Sequence, residues 1–165
     1  MSDETASAET LQLVVFSLMD ETSKRREDYG IEIERIREIT LPQIITRLPK
    51  APAHVRGVTN LRGKIITVVD LRVKLGLPAG ADTKTSRMLV AESGGKTSGL
   101  LVDDVEQVMR ISAKDVDPSI PEALEAVQYV KGVAKSQGRL IVLLDLNKLL
   151  EGSDVTTGMP VRRKE

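Results

Sequence analysis

Residues 57–76, GVTNLRGKIITVVDLRVKLG, are the stretch around which this chain is organised. They read as an extended arm at 58–61, a tight turn at Arg62-Gly63, a longer apolar strand at 64–69, and a break. The second arm is rich in β-branched residues, which suit a pleated, buried surface. Gly63 supplies a turn position that needs positive φ. Asp70 stands where a short helix over 71–75 begins, and its carboxylate is predicted to cap free backbone N–H groups there.

The stretch occurs twice. Residues 132–150, GVAKSQGRLIVLLDLNKLL, repeat it: Gly57 matches Gly132, Gly63 matches Gly138, Lys64 matches Arg139, Ile66 matches Ile141, and Asp70-Leu71 match Asp145-Leu146. A second pair lies upstream, residues 30–36 (GIEIERI) against 99–105 (GLLVDDV). The chain therefore reads as two copies of one β-rich unit. A unit of about 70 residues buries too little surface to be comfortable alone, so two copies gain by sharing a core.

Composition narrows the classes. Apolar residues make up 41% and charged residues 29% of the 165, an ordinary globular balance. Lys plus Arg equals Asp plus Glu, 24 each, which leaves no electrostatic footprint for nucleic acid or an anionic membrane. The aromatics are Phe16, Tyr29 and Tyr129 alone, too few for base-stacking platforms. Without cysteine there is no disulfide framework and no thiolate chemistry, which fits a reducing compartment. The acidic N-terminus, MSDETASAET, lacks the apolar segment of a signal peptide, and no apolar run approaches the roughly 20 residues that span a bilayer.

Taken in order, residues 1–10 read as a flexible lead-in and 11–18 as a strand buried on both faces. Residues 20–28, DETSKRRED, read as a charged surface loop. Residues 29–39 alternate and then shift period, which predicts a strand bent near Arg35. A short strand is expected at 44–48, and residues 53–56 are too few to assign, with room for one helical turn. Residues 77–84, with Pro78 and Gly80, are the candidate boundary between the halves. A strand at 86–91 and a turn at 92–98 lead into a second bent strand at 99–111. A polar connector follows, then a short helix or irregular segment at 122–129, the second copy of the turn unit, and a polar tail at 151–165. Many short strands broken by Gly and Pro predict an all-β barrel or sandwich. The rival is α/β, supported by two strands that each end in Asp-Leu and opposed by the lack of crossover helices.

No catalytic constellation stands out. Gly95-Lys96-Thr97 resembles the end of a phosphate loop, but the required first glycine is Val90. His54, the only histidine, has no carboxylate at helical spacing to build a metal site. Asp70 and Asp145 recur as caps. Asp103, Asp104 and Glu106 read as a solvated acidic strand edge, with a partner-facing edge as the alternative. Arg62 is different, because the second copy carries Gln137 there. A structural turn needs no arginine, so the difference points to a function of the first copy. A small enzyme or nucleotide binder using Asp70, Asp145 and residues 95–97 is the competing class.

Residues 29–39, residues 51–77 with their core G-V-x-N-L-R-G-x-I-x-x-V-x-D-L-R, and GLLVDDVEQVMRI at 99–111 together resemble the CheW family of chemotaxis coupling proteins. The resemblance spans residues 11–150. The same motif occurs in the regulatory domain of CheA kinases and in CheV proteins, but this chain shows no kinase, phosphotransfer or receiver segment. The resemblance implies two SH3-like, five-stranded β-barrels packed on each other, with the division near 77–85 and tails at 1–10 and 151–165. It implies a non-enzymatic adaptor without cofactor or metal, monomeric when isolated and cytoplasmic beneath the inner membrane in receptor arrays. The partners implied are the cytoplasmic tip of methyl-accepting chemoreceptors and the regulatory domain of the histidine kinase CheA, or equivalent partners in another chemosensory pathway. Carried onto this sequence, receptor contact falls on Ile36, Glu38, Asn60, Leu61, Arg62, Gly63 and Ile65, and kinase contact on Leu100, Val102, Val105 and Val108. The family often has proline where this chain has Thr67, and its first hairpin loop is shorter.

Overall fold

A computed structural model of the chain describes residues 9–119 and 127–151. The expected N-terminal lead-in falls almost wholly outside them, as do most of the segment at 122–129 and nearly all of the C-terminal tail. Eleven strands are present among the described residues: β1 Thr10–Asp20, β2 Arg25–Glu32, β3 Ile36–Thr40, β4 Val55–Leu61, β5 Lys64–Asp70, β6 Arg87–Ser93, β7 Lys96–Val102, β8 Asp104–Ser112, β9 Val116–Asp117, β10 Val130–Ser136 and β11 Arg139–Leu144. Two short helices, α1 Leu71–Lys74 and α2 Leu146–Leu150, follow β5 and β11.

The strands form two sheets, one ordered β8-β1-β2-β11-β10-β9 and the other β3-β6-β7-β5-β4. The chain starts in the first sheet, crosses to the second at β3 and returns at β8. The α/β reading fails here: most pairs are antiparallel, and the two parallel pairs, β2 with β11 and β5 with β7, lie within β sheets. Residues 77–85 join β5 to β6 inside the five-stranded sheet. That connector separates the copies of the repeat, and not the two sheets, because each copy lends strands to both.

Period-two alternation sorts the apolar residues into three cores. On β1, Leu13 and Val15 enter the interior of the first barrel with Ile141 and Leu143, while Val14, Phe16 and Leu18 face a core shared between the sheets. On β6, Met88 and Val90 line the second barrel with Ile66 and Val68, while Leu89 and Ala91 face the shared core. Strands buried on both faces account for the unbroken apolar run at 13–16. Each large aliphatic sealed in these cores contributes roughly 1.5–3 kcal/mol.

The repeat is exact in register at its glycines. Gly30 pairs with Leu143 and Gly99 with Val68, each across a parallel ladder. A β-carbon at Gly30 would lie 3.2 Å from Ile141, and one at Gly99 would lie 2.6 Å from the Met88 sulfur, so core side chains already fill both places. Bulges fall at matching points too, at Arg56 and Lys131 and at Arg37 and Glu106. Asp70 accepts the Arg72 N–H at 3.0 Å and Asp145 the Lys148 N–H at 3.2 Å, so both caps form.

Several local expectations are corrected. The loop at 20–28 shrinks to a turn at 21–24, because Arg25 to Asp28 pair along β1 in β2; water reaches both faces of this end of the hairpin, where Arg25, Arg26 and Glu27 are exposed. The bend near Arg35 is a 3-10 turn at Ile33–Arg35, where the chain changes sheets. Residues 44–48 form no strand but one bridge, Thr46 to Val58. Residues 55–56 are strand and not helix.

Tyr29 stacks on Phe16 with ring centroids 6.0 Å apart. Burial first, then the charges of Glu27 and Asp20, push its phenol up to about 12. Folded and unfolded forms then differ in proton affinity above the ordinary tyrosine range. The stabilisation is complete below pH about 10 and is lost as pH rises through the folded value. In a Tyr129→Phe variant, a spectrophotometric titration should show phenolate forming near that raised value. Ionisation at the ordinary tyrosine value with the fold intact would contradict the burial.

Candidate binding site

The hairpin of β4 and β5 closes on two residues, Arg62 at φ 52° and Gly63 at φ 84°. Positive φ at both positions is the turn whose twist matches a β-hairpin. The second copy does the same with Gln137 at 53° and Gly138 at 76°. Arginine and glutamine are equally serviceable to the backbone, so the reason for Arg62 lies in its side chain. Asn60 Oδ1 accepts the Gly63 N–H at 2.8 Å and braces the turn.

Arg62 reaches across to β3 and grips Glu38 with both terminal nitrogens; Nη2 donates to Oε1 at 2.8 Å. This fork-to-carboxylate pairing fixes the guanidinium plane. It joins the β4–β5 turn to β3, which lies at the opposite edge of the five-stranded sheet from β4. The Arg62 hydrogen bonds hold the Glu38 carboxyl below its ordinary range, and Glu38 in turn raises Arg62. The pairing is therefore complete above the ordinary carboxylate range and weakens as pH falls through the depressed value. The matching bulges place Gln107 at the Glu38 position of the second copy, opposite Gln137 in role. The first copy has an ion pair where the second has two neutral amides.

Several aliphatic side chains are exposed on this hairpin and on β3 and the segment after it. Ile65, opposite Asn60 in the hairpin, is 59% exposed. Ile39, next to Glu38, is also exposed, as are Leu41 and Ile44. Ile36 is half-buried and packs against the shared core, and Leu61 packs against the second barrel's interior. The sequence reading leaves out Ile39, which lies opposite Leu89 and so on the other face of β3 from Glu38.

The four residues assigned to the other partner divide. Leu100 and Val102 are core residues, and Val105 packs against the shared core. Val108 alone is largely free, 47% exposed on the edge strand β8. Leu100 and Val102 share one face of β7, and the apolar run at 100–102 was the sign that neither face is wet. Leu140, the second-copy counterpart of Ile65, is exposed as well.

Other sequence candidates find structural partners. Gly95-Lys96-Thr97 lies on the β6–β7 hairpin, with Gly94 and Gly95 at positive φ. His54 is pushed below its ordinary value by burial and by Lys74, and its carbonyl accepts the Asp70 N–H at 2.8 Å. Asp103 is no solvated edge. It is buried, accepts the Met19 N–H at 2.6 Å and faces Arg72 Nη1 at 3.1 Å. Arg72, 3% exposed, also donates to the Gly80 carbonyl at 2.8 Å and lies 3.7 Å from Asp70. Its repeat counterpart is Asn147, the mismatch that would have revealed it. Among the described residues no cluster of His, Cys, Asp or Glu could hold a metal ion.

A doubled β-barrel with no metal cluster among the described residues, and with an ion pair and aliphatic side chains exposed on one hairpin and its neighbour, is suited to binding another protein. A CheW-like domain model matches residues 12–154, and the chain belongs to the CheW-like family. It is 34% identical to the chemotaxis protein CheW of Helicobacter pylori over 91% of this chain and 87% of that one. It is 32% identical to CheW of Klebsiella aerogenes over 78% of each. The structure of the scaffolding protein TtCheW from Thermoanaerobacter tengcongensis superposes with a TM-score of 0.78 at 33% identity, covering 87% of this chain and 95% of that one.

Proposed function

We propose that this chain is a non-catalytic scaffold of chemotaxis signalling that couples methyl-accepting chemoreceptors to the histidine kinase CheA. The observation that carries the reading is the Glu38–Arg62 pair on a braced turn, with Ile65 exposed on the same hairpin. A receptor tip is a helical hairpin, and such a guest docks apolar anchors against exposed aliphatic residues while a polar group sets its orientation. Ile36, Asn60, Leu61 and Gly63 shape and hold this surface. The regulatory domain of the kinase meets β8 around Val108, which is exposed on that edge strand. No helix among the described residues is long and apolar enough to cross a membrane. The chain works in the cytoplasm and reaches receptor arrays through its partners.

Replacing Arg62 with aspartate sets two carboxylates against each other at Glu38 and removes a guanidinium of the kind that dominates interfaces, worth about 2 kcal/mol or more. Receptor binding should weaken by roughly 30-fold or more, while the far-ultraviolet spectrum and kinase binding are unchanged. Undiminished receptor binding by this variant would remove Arg62 from the site.

A further inference from the structure

A cleft of about 440 Å³ opens away from the Arg62 turn, lined by Ile45, Arg47, Arg56 and residues 79–82. Arg56 is the bulge residue of β4, and a bulge re-aims its side chain. Its Nε donates to Asp70 at 3.2 Å and its Nη2 to Asp82 at 3.3 Å, which fixes the guanidinium and leaves Nη1 with no hydrogen-bond partner among the described residues. Arg47 is exposed and has no polar partner among the described residues. Ile45, Ala79 and Ala81 supply apolar walls.

The repeat acts as an internal control. Lys131 replaces Arg56 at the matching bulge of the second copy and pairs with Glu32 at 3.4 Å. The fold therefore tolerates a point charge there, and the forked guanidinium belongs to the first copy alone. Asp70 explains part of Arg56, but nothing in the fold explains Arg47. Arg56 is matched by Asp70 and Asp82, and the positive charge left over in the cleft is that of Arg47. A single carboxylate on a short alkyl stem matches that charge, the free guanidinium donors and the apolar walls.

We infer that this cleft seats an acidic side chain of a partner protein between Arg47 and Arg56. The inference rests on the scaffold reading for the source of the carboxylate, but the cleft's chemistry is tested without any partner. The full-length chain, labelled with nitrogen-15, is titrated with N-acetyl-glutamate amide, with its neutral glutamine analogue and with inorganic phosphate. Saturable shifts are expected at the Gly80 and Ala81 amides and at the Arg47 and Arg56 side chains. They should be at least about tenfold weaker with the neutral analogue and in Arg47→Gln, a surface change that leaves β4 alone. Absence of saturable shifts at tens of millimolar, equal response to the neutral analogue, or phosphate binding that ignores Arg47→Gln would each overturn the inference. Receptor binding in Arg62→Asp tests the other site, so either reading can fail alone.

Discussion

Replacing Arg72 with leucine is expected to lower folding stability by about 3–5 kcal/mol, the usual cost of removing one partner from a buried ion pair. The guanidinium is almost wholly buried and stands among Asp70, Asp103 and the Gly80 carbonyl. Asp103 sits where the chain leaves the five-stranded sheet for β8, and it is tied to β1 through the Met19 and Ser17 backbone. Arg72 therefore joins α1, the connector at 77–85 and the crossing between barrels. Without it Asp103 remains buried and charged, whereas Asp70 keeps Arg56 at 3.2 Å. Urea unfolding should show a midpoint well below the parent's, with Tm lower by roughly 10 °C. Adding Asp103→Asn to Arg72→Leu removes the stranded charge and should return part of the loss. An unchanged midpoint in the single variant would show that the pair holds nothing together.

Gly57→Ala should cost about 3 kcal/mol, and for a reason that leaves nearby glycines untouched. A β-carbon at Gly57 would lie 2.1 Å from the Thr46 carbonyl oxygen and 2.8 Å from its carbon, both backbone atoms that no rotamer change can move. The backbone there has φ 145°, a conformation that L side chains rarely adopt. The close approach exists because Thr46 and Val58 exchange two backbone hydrogen bonds, 2.8 and 2.9 Å long. In the second copy Gly132 admits β9 in the same way, with Val116 and Asp117 against it. Gly63→Ala is the comparison, since nothing lies within 4 Å of its would-be β-carbon. That change should cost only the positive-φ penalty, about 1–2 kcal/mol. Hydrogen exchange at the Thr46 and Val58 amides should accelerate in Gly57→Ala and not in Gly63→Ala. Equal costs in the two variants would mean that backbone conformation alone explains Gly57.

The doubled turn unit was readable because its glycines, β-branched runs and capping aspartates are local signals. The two-residue hairpins, the caps at Asp70 and Asp145 and the apolar strands all follow from neighbours in sequence. What stayed hidden depends on contacts across the chain. Residues 25–28 look like loop because charge marks exposure, yet the end of a hairpin that is wet on both faces accepts charge freely. Asp103 looked solvated because its partner lies 31 residues earlier, at Arg72. The resemblance assigns Leu100 and Val102 to a partner surface, whereas β5 and β6 flank β7 on both sides and both side chains are buried. Arg62 was singled out by its mismatch with Gln137. The same comparison at Arg72 and Asn147, or at Glu38 and Gln107, would have found the buried ion pair and the exposed one.

The scaffold reading is tested most directly by sedimentation of the full chain mixed with a receptor-tip fragment and the regulatory domain of the kinase. One species containing all three is predicted, and with Arg62→Asp the receptor fragment should sediment separately while the kinase domain stays bound. A chain that binds neither component, or that loses both partners together in a folded Arg62→Asp variant, would contradict the account.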